Sequence, residues 1–119
     1  MTEEERERER LRYIEESITL VEQYTQGSEQ AFFREPIIQD AVLRRLETMA
    51  DATNKLSDAL KDRHPEIPWR RIYGFRHIAA HAYEDLDLSR VWEIVENYLP
   101  SLRIVVDEEL PAGAETDLS

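Results

Sequence analysis

The chain contains no cysteine, only three glycines and no long uninterrupted run of apolar residues. The lack of cysteine excludes a disulfide framework and a zinc site built on thiolates, and it is compatible with a reducing compartment. The lack of an apolar run of about 20 residues argues against a membrane-spanning helix. The first residues, MTEEERERER, are charged from the second position, which predicts that no signal peptide is present. We therefore expect a soluble cytoplasmic protein that has no membrane partner.

Positive charge is also scarce, because 15 lysines and arginines stand against 26 acidic residues, for a net charge of −11. Such a balance argues against a general nucleic-acid binder, since phosphate contacts need lysine and arginine. The charge is unevenly spread, however. The stretch from Lys61 to His77 is locally basic, whereas the part from Glu84 onward is strongly acidic. The acidic part would attract a partner that has a basic surface.

The spacing of apolar residues predicts helices in the first half of the chain. A repeat at three and four residues predicts a helix over residues 3 to 26, ended by Gly27. Ser28 is a candidate cap for a short helical turn, and Pro36 opens a second long helix that we expect to run to about Lys61. The apolar stripe of this second helix consists of Ile38, Val42, Met49, Ala52, Leu56 and Ala59.

The second half of the chain predicts two more helical segments. The prolines of HPEIP break the chain, and Pro68 can start the third segment. Asp85 and Asp87 are candidate caps for the fourth helix. Pro100 lies within its apolar pattern, so we expect a break there and one or two further turns to Val106.

These elements predict an all-α fold, because no stretch alternates with the period of a strand. Four main helices, with short helical turns between them, favour an antiparallel up-and-down helical bundle. We expect residues 1–110 to form a single domain. Residues 111–119 are small and polar, and we expect a flexible acidic tail there.

The stretch GFRHIAAHAYEDLD places several reactive side chains on one helix. At about 100° per residue, Arg76, His77 and His81 fall in one broad polar sector with Tyr83, and Ala80 lies inside it. A small residue there leaves a shallow hollow between the arginine and the histidines. Ala80 and its neighbour Ala79 would also let a second helix approach closely. The opposite, apolar side consists of Phe75, Ile78 and Ala82.

This set of side chains suits the cleavage of a phosphodiester without a metal. An imidazole can take a proton from a ribose 2′-hydroxyl at neutral pH. A guanidinium offers paired donors to phosphate oxygens that gain charge in the transition state. Simpler interpretations remain open, because histidines often lie on helix surfaces and Arg76 could pair with Glu84 or Asp85.

A metal site is disfavoured, although His77 and His81 are four residues apart. A zinc protease helix carries glutamate directly after its first histidine, and Ile78 stands at that position here. We therefore expect neither a metal nor another cofactor.

Two further groups of polar residues are ambiguous. Arg70 and Arg71 follow Trp69 and could contact RNA or belong to a solvated turn. Glu47 and Asp51 could reach the same cleft as carboxylates that orient a histidine, but a polar helix face is the favoured interpretation.

The polar residues also form a known pattern, Arg-x4-His-x-Tyr, at Arg76, His81 and Tyr83. With the flanking segments QDAVLRRLETM, HPEIPWRRIYGFR and DLDLSRVWEIVENYLPSL, the chain resembles the HepT-like ribonuclease toxins of the HEPN superfamily over residues 8 to 106. The residue after the tyrosine is often aromatic in that family. Glu84 occupies the position here and adds negative charge beside the site.

The resemblance implies a helical homodimer in which the signature residues of both subunits face one cleft. It implies metal-independent RNA cleavage with Arg76 and His81 as the catalytic residues, supported by His77, Arg70 and Arg71. It also implies that this is the toxin of a toxin–antitoxin pair. The cognate antitoxin would be a minimal nucleotidyltransferase that silences the toxin by transferring AMP to Tyr83. The alternative is a non-catalytic HEPN module that binds a nucleotide or a protein partner.

Overall fold

A computed structural model describes residues 1–85 and 87–110, apart from the side chains of Tyr83 and Asp85. Within this part of the chain the secondary structure is entirely helical, which confirms the predicted all-α class. The helices are α1 (Glu3–Thr25), α2 (Glu29–Arg34), α3 (Pro36–Asn54), α4 (Asp58–Arg63), α5 (Trp69–Tyr73), α6 (Phe75–Asp85), α7 (Leu88–Asn97) and α8 (Leu99–Glu109).

The main helices form an up-and-down bundle around one apolar core. α3 packs against both α1 and α6, α7 packs against α6, and α8 returns to α1, so the main helices close a ring. The long helices α1 and α3 are neighbours in the bundle, joined only by the short α2 and its flanking turns. The largest fully buried side chains of the core are Phe32, Phe75, Ile14, Ile18, Leu46, Met49, Leu60, Ile72 and Leu102.

Local sequence signals account for the helix ends in the first half of the chain. α1 ends where Gln26 and Gly27 adopt φ angles of 50° and 69°, in the left-handed region that favours glycine. The Ser28 hydroxyl accepts a hydrogen bond from the Ala31 amide and so caps α2. Pro36 occupies the first turn of α3, where its missing N–H costs nothing. These three predictions are confirmed.

The predicted end of the second long helix was wrong. α3 ends at Asn54 rather than near Lys61, and a separate α4 follows. The Ser57 hydroxyl caps α4 by accepting a hydrogen bond from the Leu60 amide. Glu7 of α1 in turn accepts hydrogen bonds from both the amide and the hydroxyl of Ser57. A contact from another helix therefore fixes this break, and Ala59, which we placed in the core stripe, is exposed.

In the second half, the breaks at proline and at the aspartate cap appear where the sequence predicts them. Asp87 caps α7, and α8 begins at Leu99, directly before Pro100. The third segment is divided at Gly74 into α5 and α6. The last helix is longer than expected, because α8 continues past Val106 to Glu109. The predicted tail, residues 111–119, lies outside the described residues.

A polar cluster joins the end of α4 to the end of α8. The carboxylate of Glu109 lies 2.6 Å from Nε2 of His64 and 2.7 Å from the Arg63 guanidinium. The hydrogen bond from Arg63, with a further one from His64, holds the pKa of Glu109 below its usual value. The hydrogen bond with Glu109 likewise raises the pKa of His64, against the opposing effect of burial.

None of the helices in the described part of the chain combines the length and the hydrophobicity that crossing a bilayer requires.

Candidate functional site

The predicted orientation of α6 is confirmed. Phe75 and Ala82 are buried in the core, and Ala79 is buried where α6 packs against α3. Arg76 and His77 are exposed on the outer side of the helix. Ala79 therefore serves packing within the chain, and Ala80 alone of the two alanines remains exposed for an approaching partner.

The polar side of α6 forms one wall of an open cavity of about 340 Å³. Arg76, His77 and His81 line this cavity together with Ala80, the small residue that leaves the hollow. Glu47 of α3 lines the facing side. The remaining lining residues, Tyr73 and Gly74, lie at the junction of α5 and α6. Three predicted site residues thus share one concave surface, which we call the α6 cavity.

Gly74 forms the junction between α5 and α6 and lines the cavity. A Cβ atom at this position would lie 3.1 Å from the carbonyl oxygen of Arg71, which is closer than side chains normally pack. The backbone angles of Gly74, φ −62° and ψ −18°, are in the ordinary right-handed helical region, so the close contact alone limits the residue type here. A larger residue at Gly74 would therefore require the Arg71 carbonyl to shift by a few tenths of an ångström.

The Arg76 guanidinium is held by a carboxylate of the neighbouring helix. Nε of Arg76 lies 3.3 Å from Oδ1 of Asp51 in α3. Of the two pairings that the sequence left open, the one with Glu84 is wrong, because Arg76 pairs with Asp51 and Glu84 with His81. The other falls on the side chain of Asp85, which lies outside the described residues. The side chain of Arg76 is 53% exposed, so its terminal nitrogens remain accessible to a ligand phosphate.

Glu84 forms a hydrogen bond with His81. Nδ1 of His81 lies 3.0 Å from Oε2 of Glu84, which is one helical turn further along α6. A carboxylate at Nδ1 favours the tautomer in which Nδ1 carries the proton and Nε2 keeps its lone pair. The sequence pattern placed Glu84 beside the site as an unfavourable charge, whereas the structure shows it hydrogen-bonded to the histidine. The i,i+3 spacing of the two residues was the available signal.

The second histidine is close to the first. The ring centroids of His77 and His81 are 4.4 Å apart, with the rings tilted by 45°. The two imidazoles therefore approach a ligand from the same direction. Each ring is therefore placed where it could take up a proton from the same ligand.

Glu47 and Asp51 lie on a partly exposed polar face of α3, as the favoured interpretation has it, and this face borders the site. Glu47 lines the α6 cavity, and Asp51 pairs with Arg76. The alternative, in which these carboxylates orient a histidine, is incomplete, because Asp51 contacts the arginine instead. The packing of α3 against α6 determines which side chain each carboxylate of α3 contacts. The sequence of either helix alone does not predict this packing.

The predicted supporting arginines of α5 do not line the α6 cavity. Arg71 donates a hydrogen bond of 2.9 Å to the hydroxyl of Tyr98, and this bond raises the pKa of the Arg71 guanidinium. Arg71 instead borders a different concavity, between α5 and α7. Arg70 is exposed to solvent. A contact of either residue with RNA stays a prediction.

The remaining predicted site residue is Tyr83, whose side chain lies outside the described residues. Its position in the chain places it on α6, two residues after His81. The role predicted for its hydroxyl stays a prediction. Among the described residues, no three or more histidine, aspartate or glutamate side chains are grouped so that they could hold a metal ion.

Comparison with known proteins assigns the chain to a family. The profile described as "Ribonuclease HepT-like" matches residues 14–109, which include the whole α6 cavity. The chain is 35% identical over 94 residues to a "Probable ribonuclease HepT" of Thermococcus cleftensis, a match that covers 78% of this chain and 86% of that protein. It is 28% identical over 97 residues to a "Putative RNase" of Caldanaerobacter subterraneus, covering 82% and 87% of the two chains.

A third relative is longer. The chain is 36% identical over 94 residues to a "Gamma-glutamylcyclotransferase and putative RNase" of Methanocaldococcus jannaschii. That match covers 78% of this chain but only 42% of the relative. No solved structure matches the chain. The match of the family profile to most of the chain, with the arginine and histidines gathered in one cavity, shows that the chain belongs to the HepT-like ribonuclease family.

Proposed function

We propose that the chain is a metal-independent endoribonuclease and the toxin of a toxin–antitoxin pair, with Arg76 and His81 as catalytic residues. The observation that carries the proposal is their presence in one open cavity around Ala80. The cavity offers a base, a cation and room for a phosphate at the same place. The names of the relatives, which refer to ribonucleases, support the same class of activity.

In the proposed reaction, the base is Nε2 of His81. With Nδ1 facing Glu84 at 3.0 Å, Nε2 is free to accept the proton of a ribose 2′-hydroxyl. The 2′-oxygen then attacks the adjacent phosphorus, and the bond from phosphorus to the 5′-oxygen breaks. The products are a 2′,3′-cyclic phosphate and a 5′-hydroxyl, once the leaving oxygen has taken up a proton.

Arg76 stabilises the charge that develops during this attack. Its guanidinium can donate to the non-bridging phosphate oxygens, which become more negative in the transition state. Asp51, 3.3 Å from Nε, fixes the orientation of the guanidinium and leaves its terminal nitrogens for the phosphate. Neither step requires a metal.

Protonation of the leaving oxygen calls for a second group. In an in-line displacement the attacking and leaving oxygens lie on opposite sides of phosphorus. His77 and His81 are only 4.4 Å apart and face the same way, so one chain does not readily supply both groups. We therefore propose a homodimer in which the partner's α6 faces the same cleft and supplies the acid.

Regulation is proposed to act through the tyrosine of the signature. A cognate minimal nucleotidyltransferase would transfer AMP to the hydroxyl of Tyr83 and so silence the nuclease. The basis is the family membership together with the position of Tyr83 two residues after His81. The soluble, cytoplasmic setting that such a pair needs remains part of this proposal.

The proposal is tested with purified protein, a labelled single-stranded RNA and excess EDTA. Wild type should cleave the RNA and leave 2′,3′-cyclic phosphate ends. Arg76→Ala and His81→Ala should each reduce the rate by roughly a hundredfold or more, because each removes a group that acts in the transition state. Arg34→Ala, an exposed arginine on α2, is the matched control. His77→Asn should retain more activity than His81→Ala.

The alternative function, a non-catalytic binding module, is favoured by one observation, the net charge of −11. An acidic chain repels a polyanion at long range. Absence of RNA cleavage by wild type, together with binding of a mononucleotide such as ATP that is unchanged in His81→Ala, would support the binding module and overturn the nuclease.

A further inference from the structure

A second concave surface lies between α1 and α3, next to the α6 cavity. One part of it, of about 510 Å³, is lined by Arg6, Arg10, Asp51 and Lys55 among others. The other part, of about 380 Å³, lies towards Tyr24 and Arg44. Tyr13 and Thr48 line both parts, so the two parts form one continuous depression, which we call the α1–α3 groove.

The groove is long enough for several nucleotides. α1 and α3 run antiparallel, with Arg6 near Lys55 at one end and Tyr24 near Ala41 at the other. At 1.5 Å per residue, the part of α1 from Arg6 to Tyr24 extends over about 27 Å. A groove of this length fits an extended chain molecule better than a small ligand.

The groove is basic on an otherwise acidic protein. Its cationic lining residues are Arg6, Arg10, Lys55, Arg44 and Arg45. The carboxylates that line it are Glu9 and Asp51, and Asp51 is already paired with Arg76. On the cationic side, Arg6 forms an exposed ion pair of 2.7 Å with Glu3. Beyond Arg10 and Lys55, the neighbouring surface carries Glu3, Glu4 and Glu7. Glu16 lies close enough to Arg45 to act on it electrostatically. Among the residues that line the groove itself, cations outnumber carboxylates by five to two, while the whole chain carries −11.

Aromatic side chains alternate with these cations. Tyr13 lies half-buried at the middle of the groove, and Tyr24 lies half-buried at the far end. A hydrogen bond between Arg45 and Tyr24 fixes the position of both groups. A groove in which cations follow the backbone and aromatic rings stack with bases is the usual arrangement for binding single-stranded nucleic acid.

The groove and the α6 cavity meet at Asp51. This residue lines the groove, and its carboxylate lies 3.3 Å from Arg76 in the cavity. A strand whose scissile phosphate lies at Arg76 can therefore continue directly into the groove.

We propose that the α1–α3 groove binds the single-stranded RNA that flanks the scissile phosphate. The inference rests on the proposed nuclease function and adds a path for the substrate to it. Arg6, Lys55 and Arg44 contact backbone phosphates, and Tyr13 stacks against a base. A polyanionic strand is the occupant that we infer, because cations are spread along the whole groove, from Arg6 at one end to Arg44 and Arg45 at the other. A protein partner is the outcome that the experiments below would distinguish.

The first experiment measures binding separately from cleavage. The probe is a single-stranded RNA oligonucleotide with 2′-O-methyl riboses, which cannot be cut, and its Kd is measured over a range of salt concentrations. In Arg6→Gln/Arg44→Gln the slope of log Kd against log salt should fall by about 1.4, since each phosphate contact to a single strand contributes about 0.7. The control, Arg8→Gln/Arg34→Gln, removes the same charge from exposed positions outside the groove and should keep the wild-type slope.

A second variant tests stacking. Tyr13→Leu keeps an apolar side chain against the core but removes the ring, and should weaken binding of the same probe by about fivefold or more. Thermal unfolding of each variant establishes that the fold is retained. Equal Kd values for the groove variants and the control would overturn the proposal. A change in oligomeric state without a change in Kd would also overturn it, because the groove would then be a protein interface.

Cleavage of a dinucleotide and of a long RNA distinguishes this inference from the function on which it rests. If wild type cuts neither substrate, the nuclease function fails. If wild type cuts both and the double groove variant shows the same KM for the long RNA as the control, the nuclease stands and the groove proposal fails. The expected result is a KM for the long RNA raised by roughly tenfold in the groove variant.

Discussion

Arg76 of α6 and Asp51 of α3 form an ion pair of 3.3 Å that joins the α6 cavity to the α1–α3 groove. Both side chains are roughly half exposed, at 53% and 44%, so the pair contributes little to stability. Its effect is geometric. A guanidinium that is fixed at Nε presents its remaining donors in one direction, towards the space above Ala80.

The first prediction concerns this pair. Asp51→Asn should lower kcat for RNA cleavage by roughly threefold to tenfold, because Arg76 loses its fixed orientation. KM should not rise, since the substitution removes a negative charge beside a polyanion. Steady-state kinetics on one RNA substrate, compared with Asp58→Asn as a control, would measure both constants. A raised KM with unchanged kcat would contradict a positioning role for Asp51.

The second prediction concerns Glu84, which lies 3.0 Å from Nδ1 of His81. Glu84→Ala should reduce kcat by roughly tenfold, a smaller loss than in His81→Ala, because the base remains but its tautomer and orientation are no longer fixed. The expected loss of kcat is only tenfold because the His81–Glu84 pair is exposed to solvent, which weakens the interaction. Glu93→Ala on α7 removes the same charge elsewhere and should leave kcat unchanged. Equal activity of the two variants would exclude the orienting role.

The third prediction concerns the pH dependence of stability. The raised pKa of His64 stabilises the fold below the usual histidine pKa of 6.5, and the effect is lost as the pH rises through the folded value. The lowered pKa of Glu109 stabilises it above the usual 4.5, and the effect is lost as the pH falls through the folded value. Both contributions are therefore present together between about pH 4.5 and 6.5.

The variant His64→Gln tests this dependence. Its free energy of unfolding should be lower than that of wild type by about 1 to 2 kcal/mol near pH 6, and the difference should shrink towards pH 9. Denaturant unfolding at several pH values measures the difference. A difference that stays constant from pH 5 to 9 would show that His64 contributes through packing rather than through its charge.

Much of the fold could be predicted because the signals that end its helices are local. Gly27, Ser28, Pro36 and Pro100 each determine the backbone within a few residues of themselves, so the sequence alone locates these ends. The break after Asn54 could not be predicted in this way, because Glu7 of α1 fixes the loop that follows it. Leu56 fits the apolar spacing of α3 although α3 has already ended, so the spacing alone does not show where this helix stops.

In the site, too, features that arise within one helix could be predicted, whereas contacts between helices could not. The sector that contains Arg76, His77 and His81 follows from the period of a single helix, and the structure confirms it. The partner of Arg76 comes from α3, and no pattern within α6 identifies it. The α1–α3 groove was missed for the same reason. Its arginines are spread over the sequence as single residues, and only the antiparallel packing of the two helices places them side by side.

The fourth prediction is that the chain forms a homodimer. The α6 cavity is open to solvent, and Ala80 and the partly exposed Tyr73 offer a partner a small and apolar surface beside it. Sedimentation equilibrium at micromolar concentration should give twice the mass of 14.1 kDa. If the cleft needs both chains, the cleavage rate should fall with the square of protein concentration below the dimer dissociation constant. A 14.1 kDa monomer with a rate proportional to concentration would contradict both statements.

The fifth prediction concerns Tyr83 and the proposed nucleotidyltransferase. AMP on the tyrosine hydroxyl would bring a phosphodiester charge to the helix that carries Arg76 and His81, and this charge would repel the substrate phosphate and compete for the guanidinium. Tyr83→Phe removes the acceptor oxygen and keeps the ring. The variant should retain at least part of the nuclease activity and gain no AMP mass on co-expression with the enzyme and ATP, whereas wild type gains one or more AMP units.

Tyr73→Phe, which changes the tyrosine that lines the cavity, is the matched control and should still be modified. Intact-protein mass spectrometry and RNA cleavage measured on the same samples separate the two possible failures. A modified Phe variant would place the acceptor elsewhere, and an unmodified but fully silenced one would mean that the partner acts by binding alone.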